Sequence, residues 1–99
     1  MKTTIFSLAY EIDVVVNYHQ SIDSSKWDWS TSQFALGHFD TVEEARKALH
    51  AVKRYHEELD LDFDPERYAK PRLVIYRQPY TEYPCLAGGE EKVEEVLLP

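Results

Sequence analysis

From Phe6 to Tyr18 every even position is apolar: Phe6, Leu8, Tyr10, Ile12, Val14, Val16 and Tyr18. The odd positions between them are Ser7, Ala9, Glu11, Asp13, Val15, Asn17 and His19. A period of two matches the alternation of side chains along a strand, whereas a helix would scatter the same residues around its circumference. The length of the run predicts a bend or bulge inside it. A polar connector, Gln20 to Lys26, leads to a second strand region from Trp27 to Phe39. Trp27 and Trp29 share one parity there, while Phe34 and Leu36 share the other. That slip predicts a bulge or break near Thr31 to Gln33. Adjacent strands with a short connection pair most simply as an antiparallel hairpin.

The period then changes. Thr41-Val42-Glu43-Glu44 has the form of a capping box, in which Thr41 accepts a first-turn N–H and Glu44 reaches back. Val42, Ala45, Leu49, Val52 and Tyr55 or His56 recur at three- and four-residue spacing and form an apolar stripe that should lie on the sheet. The opposite face offers Glu43–Lys47 and Arg54–Glu58 pairs. The helix should fade near Leu59. An acidic connector with Pro65 leads to a third strand, Arg72 to Arg77, opened by Pro71 and stopped by Pro79. Its central apolar run predicts a place in the middle of the sheet or burial on both faces. Tyr80 to Gly89 reads as a loop. Glu90 to Pro99 reads as a short helix on Val93, Val96 and Leu97, with an edge strand as the alternative. The expected fold is α+β: a small antiparallel sheet, β-β-α-β plus a C-terminal element, with one main helix packed on one face, in a single domain over residues 1–99.

Charge narrows the class of partner. Eighteen acids against eleven bases leave a net charge of −7. Such a chain is repelled by nucleic acid and by anionic lipid, which leaves a basic protein as the expected partner. Cys85 stands alone, so no internal disulfide can form, which points to a reducing compartment. The N-terminus lacks the apolar core of a signal peptide, and no apolar run reaches membrane-span length. The location expected is cytoplasmic.

The residues do not assemble a recognisable catalytic or metal centre. His50 and His56 are six apart, off the i,i+4 spacing of a helical zinc pair. Asp60, Asp62 and Asp64 alternate as in a calcium loop, but Pro65 and Pro71 stand where that loop needs glycine and glutamate. Cys85 has no cationic neighbour in sequence to activate it, and Gly88-Gly89 is followed by two glutamates that would repel phosphate. A non-enzymatic protein without cofactor or metal is the expectation.

The acids are clustered. Glu57, Glu58, Asp60, Asp62, Asp64 and Glu66 place six acids in ten residues with no base among them. Glu90, Glu91, Glu94 and Glu95 form a second cluster, relieved within the segment only by Lys92. Between them Arg67, Lys70, Arg72 and Arg77 make a basic stretch. If residues 59–64 are extended, Leu59, Leu61 and Phe63 anchor the segment. The aspartates then project about 6.6 Å apart, close to two phosphate steps of about 3.4 Å along a DNA strand. In size, acidity and these two clusters the chain resembles the small anti-CRISPR proteins that act as DNA mimics. That resemblance implies a phage-encoded inhibitor in the cytoplasm of a bacterial host. It would occupy the basic DNA-binding groove of a nucleic-acid-binding complex, such as a type I CRISPR surveillance complex, through the ten carboxylates of the two clusters. The basic stretch departs from a uniform mimic. The alternative is a structural or protein-interaction module, homodimeric or not, that uses the aromatic sheet face with Trp27 and Trp29.

Overall fold

A computed structural model of the chain describes residues 4–16, 22–23, 27–59, 65–79 and 90–98. The elements are β1 (Thr4–Val15), β2 (Trp29–Phe39), α1 (Val42–Leu59), β3 (Tyr68–Pro79) and β4 (Glu91–Leu97). The four strands form one sheet in the order β2-β1-β3-β4, and every neighbouring pair is antiparallel. Helix α1 carries the chain from edge strand β2 across β1 to β3, and it packs on one face. The expected α+β fold with one helix on a small antiparallel sheet is present.

The even positions of β1 face the helix. Leu8 joins Leu73 and Ile75 of β3, Ala45 and Leu49 of α1, and Leu98 in one buried cluster. Phe6, Tyr10, Phe39, Ala48, Val52 and Val96 pack around its rim. The helix begins as its sequence dictates: Thr41 Oγ1 accepts a hydrogen bond from the Glu44 N–H at 3.2 Å, satisfying one of the orphan first-turn donors. At the far end of the stripe it is His56 that turns inward, while Tyr55 remains 63% exposed. Among the described residues an i,i+4 ion pair on the helix surface joins Lys53 and Glu57, at 3.9 Å.

The odd positions of β1 are buried as well. Ser7 and Ala9 are fully enclosed and Glu11 is 3% exposed, and Val74 and Gln78 on β3 share that face. Gln78 Nε2 donates to Ser7 Oγ at 2.9 Å, which pairs two buried polar groups across the strands. Central position therefore buries β1 and β3 on both faces, as the apolar run of β3 predicts.

Several details differ from the sequence reading. Strand β3 runs over Tyr68–Pro79 and takes in Pro71, instead of opening there and covering only Arg72 to Arg77. The C-terminal segment is strand β4, not a helix, because it is paired along β3 and its Glu91, Glu94 and Glu95 are bonded to Arg77, Arg46 and Arg72, which three apolar residues on one helical stripe do not outweigh. The slip in β2 does not fall at Thr31 to Gln33. Leu8 pairs with Gly37 and Ala9 with Ala35, so Leu36 is the extra residue of the bulge. Strand β1 ends at Val15, and the pairing of Val15 with Trp29 closes the ladder there. The prolines of β3 are also accommodated by irregularity. The β1–β3 register shifts between Glu11 and Asp13, opposite Lys70 and Pro71. Lys70 lies in the left-handed region at φ 54°, so the Pro71 nitrogen, which cannot donate, sits where the ladder is interrupted.

Leu49 is fully buried between helix and sheet. Leu49→Ala should lower unfolding free energy by about 2–5 kcal/mol, read from urea denaturation. A loss below about 0.5 kcal/mol would mean that the helix does not rest on this face.

Candidate functional site

Two features of the sheet are candidates for function: a polar cluster on the face away from α1, and the outer edge of β2, which pairs with no other strand among the described residues. The cluster is built on Arg72 of β3. Its Nη1 donates to Asp13 Oδ1 at 3.2 Å and to the Lys70 carbonyl at 2.8 Å. Its Nη2 lies 3.3 Å from Glu11 Oε1, and its Nε lies 3.3 Å from Glu95 Oε1. The second oxygen of Glu11 accepts from Gln33 Nε2 at 2.7 Å and from the Tyr76 hydroxyl. Thr31 Oγ1 donates to Asp13 Oδ1 at 3.0 Å. Gln33 and Thr31 stand directly opposite Glu11 and Asp13 in the β1–β2 register, so each contact is a cross-strand pair. One guanidinium thereby links β1, β3 and β4, and its carboxylate partners link onward to β2.

This arrangement makes a buried carboxylate tolerable. An unpaired carboxylate at the depth of Glu11 would cost several kcal/mol, and the cost falls only when charge and hydrogen bonds are both satisfied. The same carboxylate acts on its neighbour. Burial first, then the hydrogen bond to Glu11 and its negative charge, raise Tyr76 well above the ordinary 10.0, while Gln33 and Arg72 pull the other way. Burial raises Tyr10 too. Chemically the cluster is saturated: the basic groups are spent on the acidic ones. Beside it a depression of about 450 Å³ is lined by Asp13, Thr31, Lys70, Arg72, Glu95 and Leu97.

The described acids among those singled out from sequence sit in different settings. Glu57 and Glu58 are exposed near the end of α1, and Glu57 is paired with Lys53. Glu66 is exposed in the turn before β3. Asp60, Asp62 and Asp64 lie outside the described residues, as do Cys85, Gly88 and Gly89. Glu90 is half-buried. Glu91 pairs with Arg77, Glu94 with Arg46 of the helix at 3.4 Å, and Glu95 with Arg72 and, at 3.6 Å, with Lys92. The second cluster thus meets bases from α1 and β3 as well as from its own strand. Linear counting could not show this, because Arg46 is far away in sequence.

No known protein family, curated protein or solved structure matches this chain. The site therefore has to be read from its own geometry. Among the described residues, no group of three His, Cys, Asp or Glu side chains could hold a metal ion, and no helix is long and apolar enough to cross a membrane.

The edge strands differ in kind. Strand β4 carries Glu91, Lys92, Glu94 and Glu95 in seven residues. Charges on an edge resist addition of another strand. Strand β2 has eleven residues and no Asp, Glu, Lys or Arg among them. Trp29, Phe34 and Leu36 are each about half exposed on it, at 47%, 56% and 48%. Phe34 leans against Tyr10 with ring centroids 6.4 Å apart. The Leu36 bulge is a sequence feature that parity alone detects but does not place. At the Trp29 end, Ile22, Trp27, Trp29, Pro65 and Glu66 line a hollow of about 400 Å³.

The two arginine environments give a contrast. Arg72→Met leaves Glu11 and Asp13 facing each other without their cation, and should cost about 3–5 kcal/mol in urea denaturation. Arg77→Met removes an exposed pair with Glu91 and should cost no more than about 1 kcal/mol. Equal losses would contradict the assignment of Arg72 as the hub. Tyr76 sets a pH dependence. Its proton is retained in the folded state where the unfolded chain loses it, so this contribution to stability is intact below pH 10.0 and declines as pH rises beyond it. The urea midpoint should fall more steeply above pH 10.0 in the wild type than in Tyr76→Phe, and parallel curves would refute the assignment.

Proposed function

We propose that this protein is a non-enzymatic interaction module that takes up an extended segment of a basic partner protein as an added strand along β2. The observation that carries the reading is the contrast between the edges: β4 is guarded by four charged residues, and β2 is long, uncharged and lined by exposed apolar side chains. A strand edge with unpaired N–H and C=O groups is a template for another chain, and main-chain pairing with side chains in adjacent pockets is a recurrent mode of peptide recognition. The net charge of −7 selects the partner's sign. It also opposes a second copy of this chain, whose field would be repulsive.

An alternating lysine–valine octapeptide serves as a basic, strand-forming probe. Hydrogen exchange should slow at amides of residues 29–39 on addition of the peptide and stay unchanged at 91–97, and Leu36→Lys should remove the effect. Protection at β4 instead, protection at neither edge, or a dimer that already protects β2 without peptide would each overturn the reading.

A second reading follows from the charge and from the exposure of Glu57, Glu58 and Glu66. The partner is then the DNA-binding groove of a nucleic-acid-binding complex in a bacterial cytoplasm, and the protein inhibits it as the acidic anti-CRISPR mimics do. In this reading the exposed carboxylates Glu57, Glu58 and Glu66 would carry that role, although Glu57 is also paired with Lys53. Release of target DNA from a type I surveillance complex on titration with this protein, lost when Glu57, Glu58 and Glu66 are changed to lysine, would support it. Retention of the DNA would rule it out.

A further inference from the structure

We infer that the strand received by β2 alternates basic with apolar side chains, its basic side lying over Thr31 and Gln33 and its apolar side over Phe34. The inference rests on the reading of β2 as the binding edge and adds the sequence pattern that this edge selects. Backbone pairing sets the register. The Val16 N–H donates to the Asp28 carbonyl at 3.1 Å, on the β2 side of β1, whereas the Val15 N–H donates to the Arg67 carbonyl at 3.0 Å, on the opposite side. Trp29 stands opposite Val15, so its own N–H and C=O point away from β1, toward the outer edge. The register runs one for one from Trp29 to Ala35, so Thr31, Gln33 and Ala35 point their backbone groups outward as well. The bulge at Leu36 then interrupts the series. The template for an added strand is therefore residues 29–35.

The two faces of that template differ in chemistry. Thr31 and Gln33 stand opposite Asp13 and Glu11, on the face away from α1, and their donors are spent inward. Thr31 Oγ1 gives its one hydrogen to Asp13 Oδ1 at 3.0 Å. Gln33 Nε2 gives its two to Glu11 Oε2 at 2.7 Å and to the Tyr76 hydroxyl at 3.4 Å. The Glu11 carboxylate, which only accepts, fixes which end of the Gln33 amide turns inward. Both side chains are left with acceptors to offer: the lone pairs of the Thr31 hydroxyl and the Gln33 carbonyl oxygen. A side chain laid over them has to donate, and lysine and arginine donate without accepting. The net charge of −7 favours the same choice. On the helix side stands Phe34, 56% exposed and leaning against Tyr10. Its backbone groups are turned toward β1, so with an added antiparallel strand it forms the close pair without hydrogen bonds, Cα atoms about 4.5 Å apart. An apolar side chain placed there covers the ring and packs it against Tyr10. Donors on one face and apolar groups on the other make a segment of period two.

The probes are two acetylated, amidated octapeptides of equal composition and charge: alternating Lys-Val, and the blocked order Lys-Lys-Val-Val given twice. Binding to the full chain is read by residue-resolved amide exchange and by nuclear Overhauser contacts. The alternating peptide should slow the Thr31, Gln33 and Ala35 amides and leave those of Ser30, Ser32 and Phe34, already turned to β1, unchanged. Its valine methyls should contact the Phe34 ring. The blocked peptide should bind about three- to tenfold more weakly, the ratio that a few mismatched cross-strand pairs supply. Thr31→Val, at an exposed position, keeps the shape and removes an acceptor. It should weaken the alternating peptide about two- to tenfold, with circular dichroism checking that the sheet persists. Equal binding of the two peptides, valine methyls against Thr31 and Gln33 instead of Phe34, or slowing of the Ser30 and Ser32 amides instead of their neighbours would overturn the proposal. Failure here is separable from failure of the edge: two peptides that protect β2 amides equally remove the alternation and keep the edge, whereas no protection of β2 by either removes both.

Discussion

The structure turns on the encounter of Arg72 with three carboxylates. Glu11 and Asp13 project from the same face of β1, two residues apart, and Glu95 comes from β4. Without a cation between them, two acids on the central strand would repel each other in a setting largely closed to water. With Arg72 in place each guanidinium nitrogen has a carboxylate within 3.4 Å, and Nη1 also holds the carbonyl of left-handed Lys70. The irregular stretch at Lys70 and Pro71 is therefore tied to the same group that neutralises the face. Register follows as well. A slip of one residue between β1 and β3 would turn Arg72 toward the apolar helix side and leave Glu11 without its cation.

From that constraint comes the asymmetry of the two edges. Bases recruited to β4 hold its glutamates close to α1 and β3, so this edge is charged, occupied and unattractive to another strand. The β2 side receives only the uncharged ends of the network, Gln33 and Thr31, which donate inward to Glu11 and Asp13. Their polar groups are engaged on the face, and the large apolar exposure of β2 falls to Trp29, Phe34 and Leu36. Charge is concentrated on one edge strand of the sheet and absent from the other. The net charge of −7 then surrounds an uncharged strand, the setting in which the proposed uptake of a basic segment would be favoured and pairing with a second copy opposed.

Much of the fold was legible in the sequence. The period of two along β1, the Thr41 cap and the stripe through Ala45 and Leu49 are local signals, and they reappear in the structure, although β1 ends at Val15. What was not legible depends on neighbours far apart in the chain. Glu11 reads as a solvent-facing position of an alternating strand, and only the meeting of β1 with β3 shows it buried against Arg72. The strand at Glu91–Leu97 is short and charged, and pairing along β3 decides its form where propensity does not. The sequence shows the parity slip in β2, but the bulge falls at Leu36, next to Gly37, where a Cβ would lie 3.2 Å from the Phe39 ring. The acids of the C-terminal segment look unopposed along the chain because their bases, Arg46, Arg72 and Arg77, are supplied by other elements.

The claim beneath all of this is that Glu11 and Arg72 stabilise the sheet as a pair rather than separately. A double-mutant cycle on Glu11→Gln and Arg72→Met, read as unfolding free energies in urea, measures that directly. The account predicts a coupling of about 1.5 kcal/mol or more between the two sites. Additivity to within about 0.5 kcal/mol would contradict it, since each side chain would then be held by other contacts and the order of edges would need another cause.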